Sequence, residues 1–339
     1  MTTNDVCQRL DRACDLIHWI EGACRDAGQE AVPHVLAEHR PALYRAMHYL
    51  GAAINAFLAG EPPADAVDAV QAQVTGALRP LSHTSPFFHH SYYKLRGYPG
   101  DFETIEVIYN NRPTGTDLPG WILDDYYLAT PPAQAVRNRL GYLVQRLGGL
   151  VRDWAAQGAH PVRLLSLGSG SARELVSLTA DPAFAHAAEV TCVDLDPGAL
   201  AYARQRLDGR LRQTVRWPVH WVNANAVRLA GNGALPGGPF HVIYAAGLFD
   251  YLKAPIAARL MSYCHSLLVP GGLLIAGNFS LETPANDRIL IEWLLDWHLL
   301  YRDEADYRAI VAATPFRDGD LAFEYEALRA NLFAVLCRR

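Results

Sequence analysis

The chain has 339 residues, a formal net charge of −5 and six cysteines, none in a C-x-x-C spacing. Half of the residues are hydrophobic, which is typical of a globular protein that can bury a full core. The negative charge and the lack of a Lys/Arg cluster on a helical face argue against a nucleic-acid surface. The chain shows neither the apolar stretch of a membrane span nor the apolar region of a signal peptide. We therefore expect a cytoplasmic protein.

The first part of the chain has helical periodicity. Val6, Leu10, Cys14, Ile17 and Ile20 recur at spacings of three and four residues, which predicts one amphipathic helix. Further helices are predicted from about 41 to 58 and from about 64 to 78, since Gly60 and the Pro62–Pro63 pair separate them. We expect residues 1–130 to be a helical module with a lid segment, and residues 131–339 to be a second domain.

From about residue 162 the pattern changes to short apolar runs separated by helical stretches. This alternation predicts a doubly wound, Rossmann-like α/β sheet of parallel strands. Two β-like runs, 321–328 and 331–339, lie only a few residues apart at the end of the chain. Such closeness requires a hairpin, so we expect an antiparallel edge on this sheet.

Two motifs of this region are typical of a nucleotide-binding site. Gly168 and Gly170 follow the first strand, where the chain must turn sharply into a helix and where a ligand must approach bare backbone. Asp194 ends the second strand, the position of an acid that binds ribose hydroxyls. Asp196 is placed either on the cofactor or at the cap of the next helix. Asn225, after the third strand, either binds adenine or satisfies its own turn.

An NAD-binding domain shares this first half, but the loop lacks the third glycine of G-x-G-x-x-G, and the closing hairpin also disfavours NAD. Taken together, the motifs resemble class I S-adenosylmethionine (SAM)-dependent methyltransferases. They are S-L-G-S-G-S-A from Ser166, V-D-L-D-P from Val193, N-A-N-A from Asn223, Y-A-A-G-L-F-D-Y-L from Tyr244 and L-L-V-P-G-G-L-L from Leu267. The resemblance implies SAM as cofactor and a seventh, antiparallel strand. Ser166 stands where the family has an acidic residue, within the expected cofactor site.

A narrower resemblance extends upstream, through K-L-R-G-Y-P-G-D from Lys94 and D-W-H-L-L-Y-R from Asp296. It is to a bacterial branch labelled 3-hydroxypalmitic acid methyl ester biosynthesis proteins. Arg96, Tyr98 and Asp101 lie in its Gly-Pro-Gly turn. The resemblance favours a lid in which Arg96 pairs with a carboxylate of SAM or substrate. The alternative is a structural bridge between Arg96 and Asp101.

The candidate catalytic residues follow the later strands. Tyr251 and Asn278 come after the fourth and fifth strands, at the carboxyl edge where open α/β sheets place their ligands. A helix predicted from 290 to 302 carries His298, the one plausible general base of that stretch. No His or carboxylate spacing indicates a metal site.

The sequence thus predicts a SAM-dependent methyltransferase that acts on a small molecule, such as a carboxylate or acyl metabolite, in secondary or signalling metabolism. A carboxylate acceptor needs no strong base, in line with the residues found. An alternative keeps the cofactor and changes the reaction, to an intramolecular cyclase such as one that forms azetidine-2-carboxylate, or a lyase. A protein that senses SAM without turnover is a third possibility.

Overall fold

The computed structural model of the chain describes residues 1–211, 217–230 and 235–339. It divides into two compact units. The helical unit comprises Met1–Val136 together with Thr283–His298, and the sheet unit comprises Arg137–Glu282 together with Leu299–Arg339. The segment 283–298 therefore interrupts the sheet unit in sequence but belongs to the helical unit.

The helices of the described residues are, in chain order, α1 (Thr3–Ala27), α2 (Val32–Leu58), α3 (Ala64–Ser82), α4 (Pro86–Tyr93), α5 (Phe102–Asn110), α6 (Leu118–Ala129), α7 (Pro131–Ala156), α8 (Arg173–Leu178), α9 (Pro182–Ala187), α10 (Pro197–Leu211), α11 (Ala226–Leu229), α12 (Ala254–Leu267), α13 (Ala285–Leu295) and α14 (Glu304–Val311). The strands are β1 (Val162–Leu167), β2 (Ala188–Asp194), β3 (Val219–Asn223), β4 (Phe240–Ala245), β5 (Leu268–Phe279), β6 (Leu321–Tyr325) and β7 (Asn331–Cys337).

These seven strands of the described chain form one sheet in the order β3-β2-β1-β4-β5-β7-β6. Strands β1 to β5 pair in parallel, whereas β7 runs antiparallel to both β5 and β6. The predicted doubly wound sheet with a closing antiparallel hairpin is confirmed. The strand order reverses between β1 and β4, and ligands of such sheets bind at the carboxyl ends of the strands beside that reversal.

The central strands are buried on both faces, as parallel strands covered by helices must be. On one face, apolar side chains of α7, α8 and α10 pack against β1 and β2, with Leu147 and Leu175 fully buried. On the other face, α12 and α14 contribute Leu260, Met261 and Tyr307. Burial of both faces explains why the strands read as nearly continuous apolar runs.

The helical unit confirms the predicted stripe of α1 in most positions. Val6, Leu10, Ile17 and Ile20 are buried, while Ala13 takes the core position that the pattern assigned to Cys14. The segment after α3, which was expected to form a lid, contains three helices. Each begins at a side-chain cap that accepts hydrogen bonds from the first turn, namely Ser85 for α4, Asp101 for α5 and Asp117 for α6.

The predicted helix from 290 to 302 is wrong beyond Leu295. Asp296 has a φ of 48°, in the left-handed region that ends a helix. The Lys94 ammonium donates to the carbonyls of Leu295 and Asp296 and pairs with the Asp296 carboxylate at 2.5 Å. A cation at these last carbonyls stabilises the end of α13. His298 therefore lies after a helix end and not on a helix.

Gly51 marks the tightest approach between α2 and α13 within the helical unit. A Cβ built at Gly51 meets the backbone of Asn286 on α13, so the two helices cannot accept a side chain there. We expect Gly51→Ala to force the helices apart and to cost about 1–3 kcal/mol of the free energy of unfolding. Chemical denaturation followed by circular dichroism measures this loss.

Gly76→Ala on α3 is the matched control. It adds the same methyl group at an exposed helical glycine with no heavy atom within 4 Å of the new Cβ. We expect a gain of about 0.5 to 1 kcal/mol, since alanine favours the helix. Equal effects of the two substitutions would contradict the close approach of α2 and α13.

Candidate cofactor and active site

The glycine loop after β1 turns under the end of β2. Gly168 and Gly170 have φ values of 65° and 53°, which side chains rarely adopt. The amides of Gly168 and Ser169 donate to the Val193 carbonyl at 2.9 and 3.1 Å. The loop that follows β1 is therefore held against the last residues of β2, at the carboxyl edge of the sheet.

The Asp194 carboxylate joins this loop to the turn after β2. Its Oδ2 accepts from the Gly170 amide at 2.8 Å, and its Oδ1 accepts from the Asp196 amide at 2.9 Å. Burial raises the pKa of Asp194, while these backbone donors oppose the rise. Both oxygens are thus oriented by main-chain groups of the two loops that a nucleotide would contact.

Asp196 and Asn225, both predicted to bind the cofactor, serve as helix caps. Asp196 Oδ1 accepts from the Gly198 amide at 2.7 Å, in the first turn of α10. Asn225 Oδ1 accepts from the amides of Val227 and Arg228 at 2.9 and 3.2 Å, at the start of α11. The capping alternative is therefore realised for both residues. A further polar group, the Asn223 amide, donates to the carbonyls of Asp194 and Leu195.

Ser166 lies within β1, buried below the glycine loop. The neighbouring Tyr244 hydroxyl, from β4, donates to Glu174 at 2.8 Å. Burial raises the pKa of Glu174, and the Tyr244 hydrogen bond and the Arg139 charge counteract this. Glu174 is not among the site residues predicted from the sequence. Its position four residues after Gly170, in the first turn of α8, is the feature that could have indicated it.

Arg139 reaches the loop after β4 from α7. It is buried, its Nη1 donates to the Ala246 carbonyl at 3.2 Å, and its Nε has no hydrogen-bond partner among the described residues. A Cβ at Gly247 would lie 2.9 Å from Nη1, so the guanidinium passes over bare backbone. Leu248 of the same loop lies against Gly168. Arg139 therefore brings a buried positive charge to the strand ends that also carry the glycine loop.

Of the other polar residues on α7, Asn138 points elsewhere. Its amide donates to Glu326 at 2.8 Å. Residues adjacent in a helix face different directions, which is why the Asn138 side chain contacts Glu326 while Arg139 contacts this loop.

Asp250 lies in the same loop and is buried. Its Oδ1 accepts from the Phe279 amide at 2.6 Å, which ties the loop after β4 to the end of β5. Burial raises the pKa of Asp250 to about 7, against the opposing effects of Arg139, the Phe279 amide and Arg302. Burial therefore favours the neutral form of this carboxyl group more than that of an exposed aspartate.

Asn278, predicted to be catalytic, is fully buried and fully engaged. Its Nδ2 donates to the carbonyls of Phe279 and Leu300 at 2.8 and 2.7 Å, and its Oδ1 accepts from Arg302. The Arg302 guanidinium also donates to the carbonyls of Phe249 and Leu252. Asn278 thus orients Arg302, which fixes the loop after β4.

Tyr251, in the Phe249–Tyr251 turn of that loop, is 37% exposed.

The remaining predicted residues belong to the helical unit. Arg96 Nη1 lies 3.0 Å from Glu103 Oε1. Asp101 caps α5 and lies 2.8 Å from the His90 ring, so part of this turn has a structural role. Tyr98 is half-buried in the same turn. His298 is exposed, with Nε2 at 3.1 Å from Asp296 Oδ1. Their action on a cofactor stays a prediction.

Across the part of the chain that the structure describes, every helix is too short or too polar to cross a membrane.

Comparison with known proteins finds similarity in the sheet unit. A family model described as a methyltransferase domain matches residues 165–274, which contain the glycine loop, Asp194 and the loop after β4. No curated protein matches the sequence. Among solved structures, a possible exported protein from Bordetella parapertussis is 18% identical, with a TM-score of 0.54 over 70% of this chain and 79% of its own.

Two further structures share less of the fold. Magnesium protoporphyrin IX methyltransferase from Synechocystis PCC 6803, with bound SAM, is 14% identical over 61% of this chain and 83% of its own, with a TM-score of 0.43. The N-methyltransferase NodS from Bradyrhizobium japonicum WM9, in complex with S-adenosyl-L-homocysteine (SAH), is 17% identical over 70% and 97%, with a TM-score of 0.41. The matched segment lies within the seven-stranded sheet, which has a Rossmann-like methyltransferase fold, and the match supports a transferase with SAM as its cofactor.

Proposed function

We propose that the protein transfers the methyl group of SAM to a small molecule, with a carboxylate or acyl metabolite of secondary or signalling metabolism as the acceptor. One observation carries the cofactor assignment: the Asp194 carboxylate and the glycine loop are hydrogen-bonded to each other beside the strand reversal. The narrower resemblance to the 3-hydroxypalmitic acid methyl ester branch supports the acceptor class. Methyl transfer is an in-line displacement, so alignment and exclusion of water are the main tasks of the protein.

In this proposal Asp194 accepts hydrogen bonds from the ribose hydroxyls of SAM. The residue keeps lone pairs for this, since its two oxygens offer about four acceptor positions, more than its backbone donors occupy. Asp194→Asn retains an oxygen for a backbone amide but loses the charge. We expect SAH affinity, measured by calorimetry, to fall about 10- to 100-fold, which corresponds to the loss of charge-assisted hydrogen bonds.

Asp181→Asn is the control for this substitution. Asp181 also sits at the start of a helix of the sheet unit, where it accepts from the amides of Ala183 and Phe184. We expect SAH affinity to stay within twofold of the wild-type value. Unchanged binding in the Asp194→Asn variant would contradict the ribose role.

We further infer that Arg139 binds the carboxylate of the methionine part of SAM. Two features support this: the Nε that has no hydrogen-bond partner among the described residues, and the buried position beside the loops after β1 and β4, because a guanidinium can donate two parallel hydrogen bonds to a carboxylate. Asn278 acts as a positioning residue through Arg302, and Tyr251 is the catalytic candidate whose side chain is accessible in this loop.

The Arg139 assignment is tested with two ligands. SAH carries the aminocarboxypropyl arm and methylthioadenosine lacks it. Arg139→Met is expected to weaken SAH about 10- to 100-fold while methylthioadenosine binds as before, since a single charged contact is removed. An equal loss for both ligands would instead mean that Arg139 holds the loop after β4 in place.

The reaction itself is tested by incubating the protein with SAM alone and following products by mass spectrometry. Methyl transfer needs an acceptor, so we expect SAM to be retained until candidate carboxylates are added and SAH to appear then. Methylthioadenosine formed without an acceptor would overturn methyl transfer in favour of a cyclase or lyase that uses the same cofactor.

A further inference from the structure

Two side chains of opposite charge meet at Gly247, in the loop after β4. A Cβ built at Gly247 would lie 2.9 Å from Arg139 Nη1 and 3.3 Å from Asp250 Oδ2. The guanidinium and the carboxylate therefore lie side by side at bare backbone. Both side chains are buried, whereas Gly247 itself is partly exposed. The charged pair thus borders a part of the loop that a ligand can reach.

The strand order places this pair at one end of the proposed cofactor site. Strand β1 lies between β2 and β4. Leu248, next to Gly247, has its Cβ 3.6 Å from where a Cβ at Gly168 would be, so the loops after β1 and β4 are in contact. A ligand whose ribose lies at Asp194, at the end of β2, and which crosses the glycine loop after β1 therefore reaches the loop after β4 with its other end.

Hydrogen bonds to the main chain hold both side chains in place. Arg139 Nη1 donates to the Ala246 carbonyl at 3.2 Å, and Asp250 Oδ1 accepts from the Phe279 amide at 2.6 Å. A carboxylate has about four acceptor positions, so Asp250 can accept from a further donor. Burial raises the pKa of Asp250 to about 7, and Arg139, the Phe279 amide and Arg302 offset this only in part. A further cation at this carboxylate would offset more of the cost of burying its charge.

We propose that Arg139 and Asp250 form a subsite for the α-amino acid end of SAM, in which Arg139 binds the carboxylate and Asp250 Oδ2 accepts from the ammonium group. An α-amino acid carries both charges on one carbon atom, so its two groups match a guanidinium and a carboxylate that lie side by side. The inference rests on the proposed use of SAM and adds a specificity to it. A ligand without the ammonium group loses a charge-assisted hydrogen bond at Asp250.

Glu174 is a second buried acid on which the Arg139 charge acts. It accepts from the hydroxyl of Tyr244, a residue of the sheet core, at 2.8 Å. Asp250, in contrast, shares the position at Gly247 with Arg139. The geometry therefore assigns the ammonium group to Asp250, and Glu174→Gln is the comparison variant.

The test measures three ligands by calorimetry on the full-length protein. They are SAH, the SAH analogue in which hydrogen replaces the amino group (deamino-SAH), and methylthioadenosine, which lacks the whole arm. We expect the wild type to bind SAH about 10- to 100-fold more tightly than deamino-SAH. Asp250→Asn keeps an oxygen for the Phe279 amide and is expected to abolish this preference while methylthioadenosine binds as before. Glu174→Gln is expected to keep the preference.

A second variant, Gly247→Ala, leaves both charged side chains in the sequence and covers the case in which Asp250→Asn fails to fold. Its methyl group would lie 2.9 Å from Arg139 Nη1 and must displace the guanidinium. We expect SAH to bind at least tenfold more weakly and methylthioadenosine to stay within twofold of wild type. Gly141→Ala is the matched control, since it adds a methyl group at an exposed glycine of α7 with no heavy atom within 4 Å. It is expected to leave all three affinities unchanged.

Four results would overturn the proposal. They are equal affinity of the wild type for SAH and deamino-SAH, a preference for SAH that persists in folded Asp250→Asn, loss of that preference in Glu174→Gln instead, and an equal loss of all three ligands in Asp250→Asn. The last result would mean that Asp250 only holds the loop after β4. Each of them leaves the proposed function intact, because the wild type still binds SAH. A wild-type protein that binds no SAH would instead refute the proposed function itself.

Discussion

The site depends on one constraint: a single carboxylate fixes the relative position of two loops. Asp194 accepts from the amide of Gly170 in the loop after β1 and from the amide of Asp196 in the turn after β2. Two charge-assisted hydrogen bonds hold both loops at the carboxyl edge before any ligand arrives. The left-handed conformations of Gly168 and Gly170 make this approach possible. The same residue that would bind the ribose therefore also preorganises the loop beneath it.

A second set of contacts fixes the loop after β4. Arg302, from the chain that returns after the helical segment 283–298, donates to carbonyls in the loop after β4, while Asn278 at the end of β5 orients it. Asp250 completes the connection through the Phe279 amide. Since this loop also carries Tyr251 and contacts Arg139 at Ala246, the residues nearest to the proposed reaction depend on the buried guanidinium of Arg302.

The sequence predicted the sheet well because strand periodicity and the closing hairpin are local properties. It failed where a distant residue decides the outcome. The end of α13 at Leu295 depends on Lys94, some two hundred residues earlier in the chain, and no periodicity reveals that contact. Asn278 has the position of a ligand-binding amide, yet Arg302 engages it. Asp196 and Asn225 match both a cofactor contact and a helix cap; the structure shows the caps, and their contact with a cofactor stays a prediction.

The buried acids of both units follow one pattern. Asp194, Glu174 and Asp250 each have a raised pKa, and each accepts a hydrogen bond from a backbone amide or a tyrosine hydroxyl. Burial raises the pKa of Asp287 in the helical unit as well, and the His48 ring and the Tyr44 hydroxyl oppose that rise. In each case a specific neighbour offsets part of the cost of removing the acid from water, so the neighbours that the fold supplies decide where an acid can be buried.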